Sequence, residues 1–242
     1  KQAVCNVLLS VVGEGDEVII PAPYWVSYPD MVRLADGTPV FVEAKIEQNF
    51  KITPAQLEAA ITPRTRALIL CSPSNPTGSV YSAEEMEGLA GVLRRHPQVL
   101  VIADEIYEHI NYIGHHASIA TCEGMKDRVA VINGVSKAYA MTGWRVGYLA
   151  VDKRWMGPLL KVHQYTTTSG NTFVQEGTAK GLKSPETEAA VQEMLRRFAI
   201  RRDLVLQCLE DIRGLSYIRP DGAFYILVNV AATGMTGEEF SA

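Results

Sequence analysis

Apolar residues along this chain of 242 residues fall into short blocks that alternate between two spacings. Residues 17–20, 39–43, 66–71, 99–103, 129–132 and 146–151 form compact runs rich in Val, Ile and Leu, which predict strands. Between them, apolar residues at helical spacing predict helices over Val4–Val12, Tyr24–Ala35 and Pro54–Ile61, and from Ser82 to about His96. Two of these helices carry start signals. Thr53-Pro54-Ala55-Gln56 supplies an N-cap, a proline in the first turn and a glutamine at capping-box distance, and Ser82 with Glu85 repeats the box. Unbroken apolar runs such as 99–103 and 129–132 are expected where both faces of a sheet are covered. Strands alternating with helices imply an α/β fold with a mainly parallel, doubly wound sheet.

The pattern changes after Asp152. Trp155–Gln164 reads as helix, Thr166–Gly170 as a polar break, and a long helix starts near Ser184-Pro185. Its expected buried stripe is Val191, Leu195, Phe198, Val205, Leu209 and Ile212. Ser216–Val230 reads as strands around the Pro220-Asp221-Gly222 turn. The division that follows is 1–152 for a large domain, 153–183 for its remainder and connection, and 184–242 for the beginning of a smaller α+β domain. Lys1-Gln2-Ala3-Val4 already reads as helix, and Thr236 with Glu239 opens another, so we expect an internal portion of a longer chain.

Composition narrows the classes. A formal net charge of −4 leaves no basic patch of the size that nucleic acid requires. No apolar stretch approaches the roughly 20 residues of a membrane-spanning helix. Cys5, Cys71, Cys122 and Cys208 lack the spacing of a metal site or redox dithiol; buried free thiols in a reducing cytosol are the expectation.

Four predicted strands run straight into residues that can do chemistry. Lys137 and Ser136 follow 129–132; Asp104 and Tyr107 follow 99–103; Asn75 follows 66–71 in Ser74-Asn75-Pro76-Thr77-Gly78; Trp25 follows 17–20 in Pro23-Tyr24-Trp25. Each has a plain structural reading: a solvated lysine, a helix cap, a core tyrosine, a turn, an aromatic staple. Those readings do not explain why all four groups fall at strand ends, the edge where open α/β sheets bind ligands. A lysine at that edge can form a Schiff base with an aldehyde.

Ser136-Lys137 followed by Thr142-Gly143-Trp144-Arg145-Val146-Gly147 resembles the lysine motif of pyridoxal 5'-phosphate (PLP) enzymes of the aspartate aminotransferase fold, above all the bacterial class I aminotransferases. The resemblance implies that Lys137 carries the cofactor as an internal aldimine and that Arg145 binds its phosphate. It assigns Asp104 to the pyridine nitrogen, whose protonation makes the ring an electron sink. It assigns Tyr107 and Asn75 to the phenolic oxygen, Asn75 also to the substrate carboxylate, and Trp25 to the ring face. Lys1-Gln2-Ala3 resembles the end of a Gly-Gly-Lys-Gln-Ala loop that faces the phosphate at a helix N-terminus. Some members carry a serine three residues before the lysine; Gly134 stands here, and Ser136 offers the alternative hydroxyl.

The activity so implied is a ping-pong aminotransferase acting on a small-molecule amino acid and a 2-oxo acid, with aspartate and 2-oxoglutarate favoured. It implies a homodimer, with no nucleic-acid or membrane partner. Prephenate or aromatic amino acids are near neighbours. A C–S lyase or an aminocyclopropane-carboxylate synthase would share the cofactor contacts, and a PLP sensor domain fused to a DNA-binding module is a remoter alternative. Family members grip the substrate carboxylate with an arginine in the C-terminal domain, beyond Ala242. This stretch by itself is therefore expected to turn over poorly.

Overall fold

A computed structural model describes residues 1–242. The chain runs α1 (Gln2–Val11), β1 (Glu17–Ala22), α2 (Tyr28–Leu34), β2 (Thr38–Glu43), α3 (Pro54–Ala60), β3 (Thr65–Cys71), α4 (Ala83–Arg95), β4 (Leu100–Asp104), β5 (Val129–Gly134) and β6 (Gly147–Ala150). After these come α5 (Lys153–Thr166), α6 (Thr172–Leu182), α7 (Pro185–Glu210), β7 (Ser216–Tyr217), β8 (Val228–Asn229) and α8 (Gly237–Ser241). No helix is long and apolar enough to cross a membrane.

Six strands form one sheet in the order β2-β1-β3-β4-β5-β6. All neighbours are parallel except β5 and β6, which run antiparallel. The sheet separates two cores because successive strand residues point to opposite faces. On β3, Leu68 and Leu70 face the core shared with α3 and α4, whereas Ala67 and Ile69 face the core shared with α1, α2 and Leu159 of α5. Burial on both faces is why these strands read as unbroken apolar runs. All three expected capping boxes form: Thr53 Oγ1 accepts the Gln56 N–H at 3.2 Å, Ser82 Oγ accepts the Glu85 N–H at 3.1 Å, and Thr236 Oγ1 accepts the Glu239 N–H at 3.2 Å.

Several boundaries differ from expectation, each for a local reason. Strand β1 continues through Pro21 to Ala22. By that point β1 pairs only with β2, its register with β3 having ended at Ile19, so the missing proline N–H leaves no ladder bond broken there. Helix α2 starts at Tyr28 rather than Tyr24 because Pro29 occupies its first turn. Helix α6 lies in a segment where no separate helix was expected. On α7 only Val191 and Leu206 are buried, and Val205 and Ile212 of the expected stripe are exposed. Cys208 is likewise exposed on α7, and Cys5, Cys71 and Cys122 are partly buried free thiols.

One turn ties the C-terminal segment to the sheet. The Gly78 carbonyl accepts the N–H groups of Asp221 and Gly222 at 3.0 and 2.9 Å, and the Ala223 N–H donates to the Ile110 carbonyl at 2.7 Å. Gly78 has φ +71°, and a Cβ there would lie 2.4 Å from Pro220 Cβ. Glycine thus meets a backbone need and a packing need at one position.

Candidate active site

The four strands that end in candidate residues, β1, β3, β4 and β5, are consecutive in the sheet, so their C-terminal ends form one continuous edge. Asp104 closes β4 and is buried. Its Oδ2 accepts the Tyr28 hydroxyl at 2.7 Å, and its Oδ1 accepts the Ile106 N–H at 3.4 Å. Burial pushes the carboxyl above its ordinary value, and these hydrogen bonds pull the other way. Glu105 next along is engaged elsewhere, with the Ser118 hydroxyl at 2.5 Å and His116 Nε2 at 2.9 Å.

Tyr107 is buried in the turn after β4, its hydroxyl 2.8 Å from that of Tyr225. Burial, then the bond to Tyr225, raises its phenol above the usual range. Lys137 lies in the connection from β5 to β6, with Nζ 5.9 Å from the Tyr107 ring centroid and 5.7 Å from that of Phe224. Arg145, in the same connection, has φ +57° and donates to the Thr142 carbonyl at 2.7 Å. Gly134 ends β5 against β6: a Cβ there would sit 2.9 Å from the Val146 carbonyl oxygen and 3.0 Å from Gly147 Cα. The hairpin therefore leaves no space for a serine at Gly134.

Trp25 meets Tyr28 edge to face, centroids 5.4 Å apart, and the Lys1 ammonium stands 4.9 Å from the Trp25 ring. Asn75 sits in a loop closed by Ser74 N–H to Ser79 O and Gly78 N–H to Ser74 O, both at 2.9 Å. A narrow cleft beside it is lined by Tyr24, Tyr28, Cys71 and Asn75. Lys1, Trp25, Tyr28 and Asp104 thus form one run of contacts; Tyr107 and Lys137 form another, beginning where β4 ends. Arg145 and Ser136 make no hydrogen bond to either run, but Arg145, which is exposed, stands close enough for its charge to act on the Lys1 amine; Ser136 is partly buried.

Three contributors were absent from the sequence reading. Tyr28 lies three residues after Trp25 at the start of α2, so helical spacing from Trp25 was a usable signal. Phe224 and Tyr225 gave none, because they reach Tyr107 from the far side of the Pro220–Gly222 turn.

This donor set fits a flat anionic pyridine aldehyde. Lys137 offers an amine for the aldehyde, Asp104 a buried carboxylate for the ring nitrogen, Asn75 and Tyr107 polar groups for a phenolic oxygen, Trp25 a ring face and Arg145 a guanidinium for phosphate.

The six-stranded, mainly parallel sheet with helices on both faces and one reversed edge strand matches the fold of solved aminotransferases. The chain belongs to the family of class I and II aminotransferases, whose model matches residues 2–242. It is 45% identical over 235 residues to the bifunctional aspartate aminotransferase and glutamate/aspartate-prephenate aminotransferase of Petunia hybrida, covering 96% of this chain and 49% of that protein. Its structure matches the aspartate aminotransferase of Rhizobium meliloti with a TM-score of 0.92 at 42% identity, covering 96% of this chain and 58% of that one. The aromatic aminotransferase of Pyrococcus horikoshii gives 0.95 at 40% identity, covering 99% and 64%. The chain spans about half the length of the curated relatives it matches.

Proposed function

We propose that this chain carries the cofactor site of a PLP-dependent aminotransferase that moves an amino group between an L-amino acid, aspartate in first place, and a 2-oxo acid in a ping-pong cycle. The observation that carries the reading is the continuous edge of β1, β3, β4 and β5, at which Trp25, Asn75, Asp104 and Lys137 all emerge. When bound, the cofactor supplies an electron sink for the carbanion formed at the substrate's Cα. The chain's own residues supply the rest. Lys137 would hold the cofactor through its aldehyde and, once its amine is free, would serve as the general base that takes the proton from Cα. Asp104 holds a proton on the ring nitrogen. Tyr107 and Asn75 hold the phenolic oxygen, Trp25 restrains the ring face, and Arg145, Ser136 and the α1 N-terminus at Lys1 hold the phosphate.

Aspartate as donor follows the Petunia and Rhizobium relatives. A prephenate or aromatic substrate is the second reading. It is favoured by the aromatic wall of Tyr107, Phe224 and Tyr225 beside Lys137 and by the Pyrococcus relative. The intact enzyme is read as a cytoplasmic homodimer; the exposed rings of Tyr165 on α5 and Phe173 on α6 support the homodimer. Borohydride reduction in the presence of PLP, followed by peptide mapping, tests the assignment. Label is expected on Lys137; label on Lys153 or Lys161 instead overturns it.

A further inference from the structure

Tyr28 is 2% exposed, packed in the core between the sheet and α1, α2 and α5, and its hydroxyl donates to Asp104 Oδ2 at 2.7 Å, with the Cys71 thiol as its other polar neighbour. A buried phenol needs a partner, and a buried carboxylate needs donors. We propose that Tyr28 is a positioning residue for Asp104: its hydroxyl keeps the carboxylate ionised and aimed along the sheet edge, so that the proton shared with the cofactor's ring nitrogen stays on the nitrogen. The inference rests on the cofactor reading above.

The surroundings of Asp104 leave this task largely to Tyr28. The groups facing it are the Lys1 amine just ahead of α1, Tyr28 from α2, Cys71 from β3, and Glu105 and Tyr107 from the turn after its own strand. The Cys71 thiol is pushed up to about 12 by burial and by the Asp104 charge, so it stays neutral and offers no positive charge. Glu105 adds negative charge nearby. The Ile106 N–H is the other donor to the carboxylate, at a longer 3.4 Å. Tyr28 is itself fixed by its edge-to-face contact with Trp25 at 5.4 Å, so one residue braces both the acid and the aromatic ring proposed to cover the cofactor.

Without the hydroxyl, the buried Asp104 binds a proton more tightly and draws it off the ring nitrogen. One hydrogen bond to a charged group changes such an affinity by roughly ten- to a hundredfold. The test uses the intact enzyme loaded with PLP labelled with 15N in its ring, comparing the parent with Tyr28→Phe. The variant should keep the Lys137 label, move the ring-nitrogen signal from pyridinium toward neutral pyridine, and lose about tenfold in kcat with KM little changed. Incorporating 3-fluorotyrosine at position 28, a stronger donor of nearly the same shape, should move the signal the opposite way, and it keeps the test open if Tyr28→Phe does not fold. A ring-nitrogen signal and pH profile unchanged in the folded variants overturns the role of Tyr28 and leaves the cofactor reading standing. A parent chain that takes no label at Lys137 overturns both.

Discussion

The sheet and the segment that follows it are built to different standards. On β1, Val18, Ile19 and Ile20 are fully buried, and the two faces of the sheet carry core clusters of 19 and 16 buried residues. On α7, by contrast, Leu204, Val205 and Ile200 are 56%, 44% and 54% exposed. Yet the sparse region still reaches the site, through the Pro220–Gly222 turn and the Phe224 and Tyr225 rings set beside Tyr107. The difference separates two tasks. Close packing fixes the strand ends to the tolerance that site chemistry needs, while the lightly packed arm reaches the site through a small aromatic cluster around Tyr107, Phe198, Phe224 and Tyr225.

The sharpest way to break this comparison is at Asp104, where the scaffold bears a cost for the site. Asp104→Asn should lower transamination in the loaded enzyme by roughly 10²–10³-fold, the scale of losing a preorganised electrostatic group. The same substitution should stabilise the cofactor-free chain at neutral pH. Burial raises the Asp104 carboxyl in the folded state, so stability falls as pH rises from the ordinary carboxylate value through the folded one. Thermal melts of parent and variant should therefore differ most above that window and converge in acid. A variant less stable than its parent at neutral pH would show that Asp104 serves the fold instead.

Next in size is a paired truncation. Leu68→Ala, at a side chain with 0% exposure, should cost about 2–5 kcal/mol in urea unfolding. Val205→Ala on α7 should stay within about 0.5 kcal/mol. Equal losses would erase the contrast between the two regions. Smallest is Gly78→Ala, which places a methyl against Pro220 at positive φ. A loss of about 1–3 kcal/mol and faster proteolysis beyond Lys183 are expected, because the turn can no longer seat on the Asn75 loop.

What the sequence disclosed follows from how locally each feature is encoded. The strands were legible because two buried faces impose unbroken apolar runs, and the starts of α3 and α4 because the Thr53 and Ser82 boxes lie within four residues. The four strand-end groups were legible because each directly follows its strand. Periodicity held in part on α7: Val191 is buried and Leu195, Phe198 and Leu209 are partly buried, but Val205 and Ile212 stand exposed, because spacing records that a helix has an apolar stripe, not that a neighbour covers all of it. The Tyr107–Tyr225 pair was illegible for a different reason, since its partners are 118 positions apart and meet only once the arm has docked.

The reversal of β6 gives the edge one member unlike the others. Asp104, Asn75 and Trp25 arrive on separate crossover units, whose loops can absorb an insertion without shifting the strand. Lys137 and Arg145 share a single hairpin connection, clamped at its base where Gly134 pairs with Gly147. For an engineer this stretch is a ruler rather than a hinge. One residue added between Gly134 and Gly147 must either bulge out or slip β6 by one position, exchanging the faces of Tyr148 and Leu149. Loop grafts that alter substrate preference are therefore better placed on the crossover loops or the C-terminal arm, where length is forgiving.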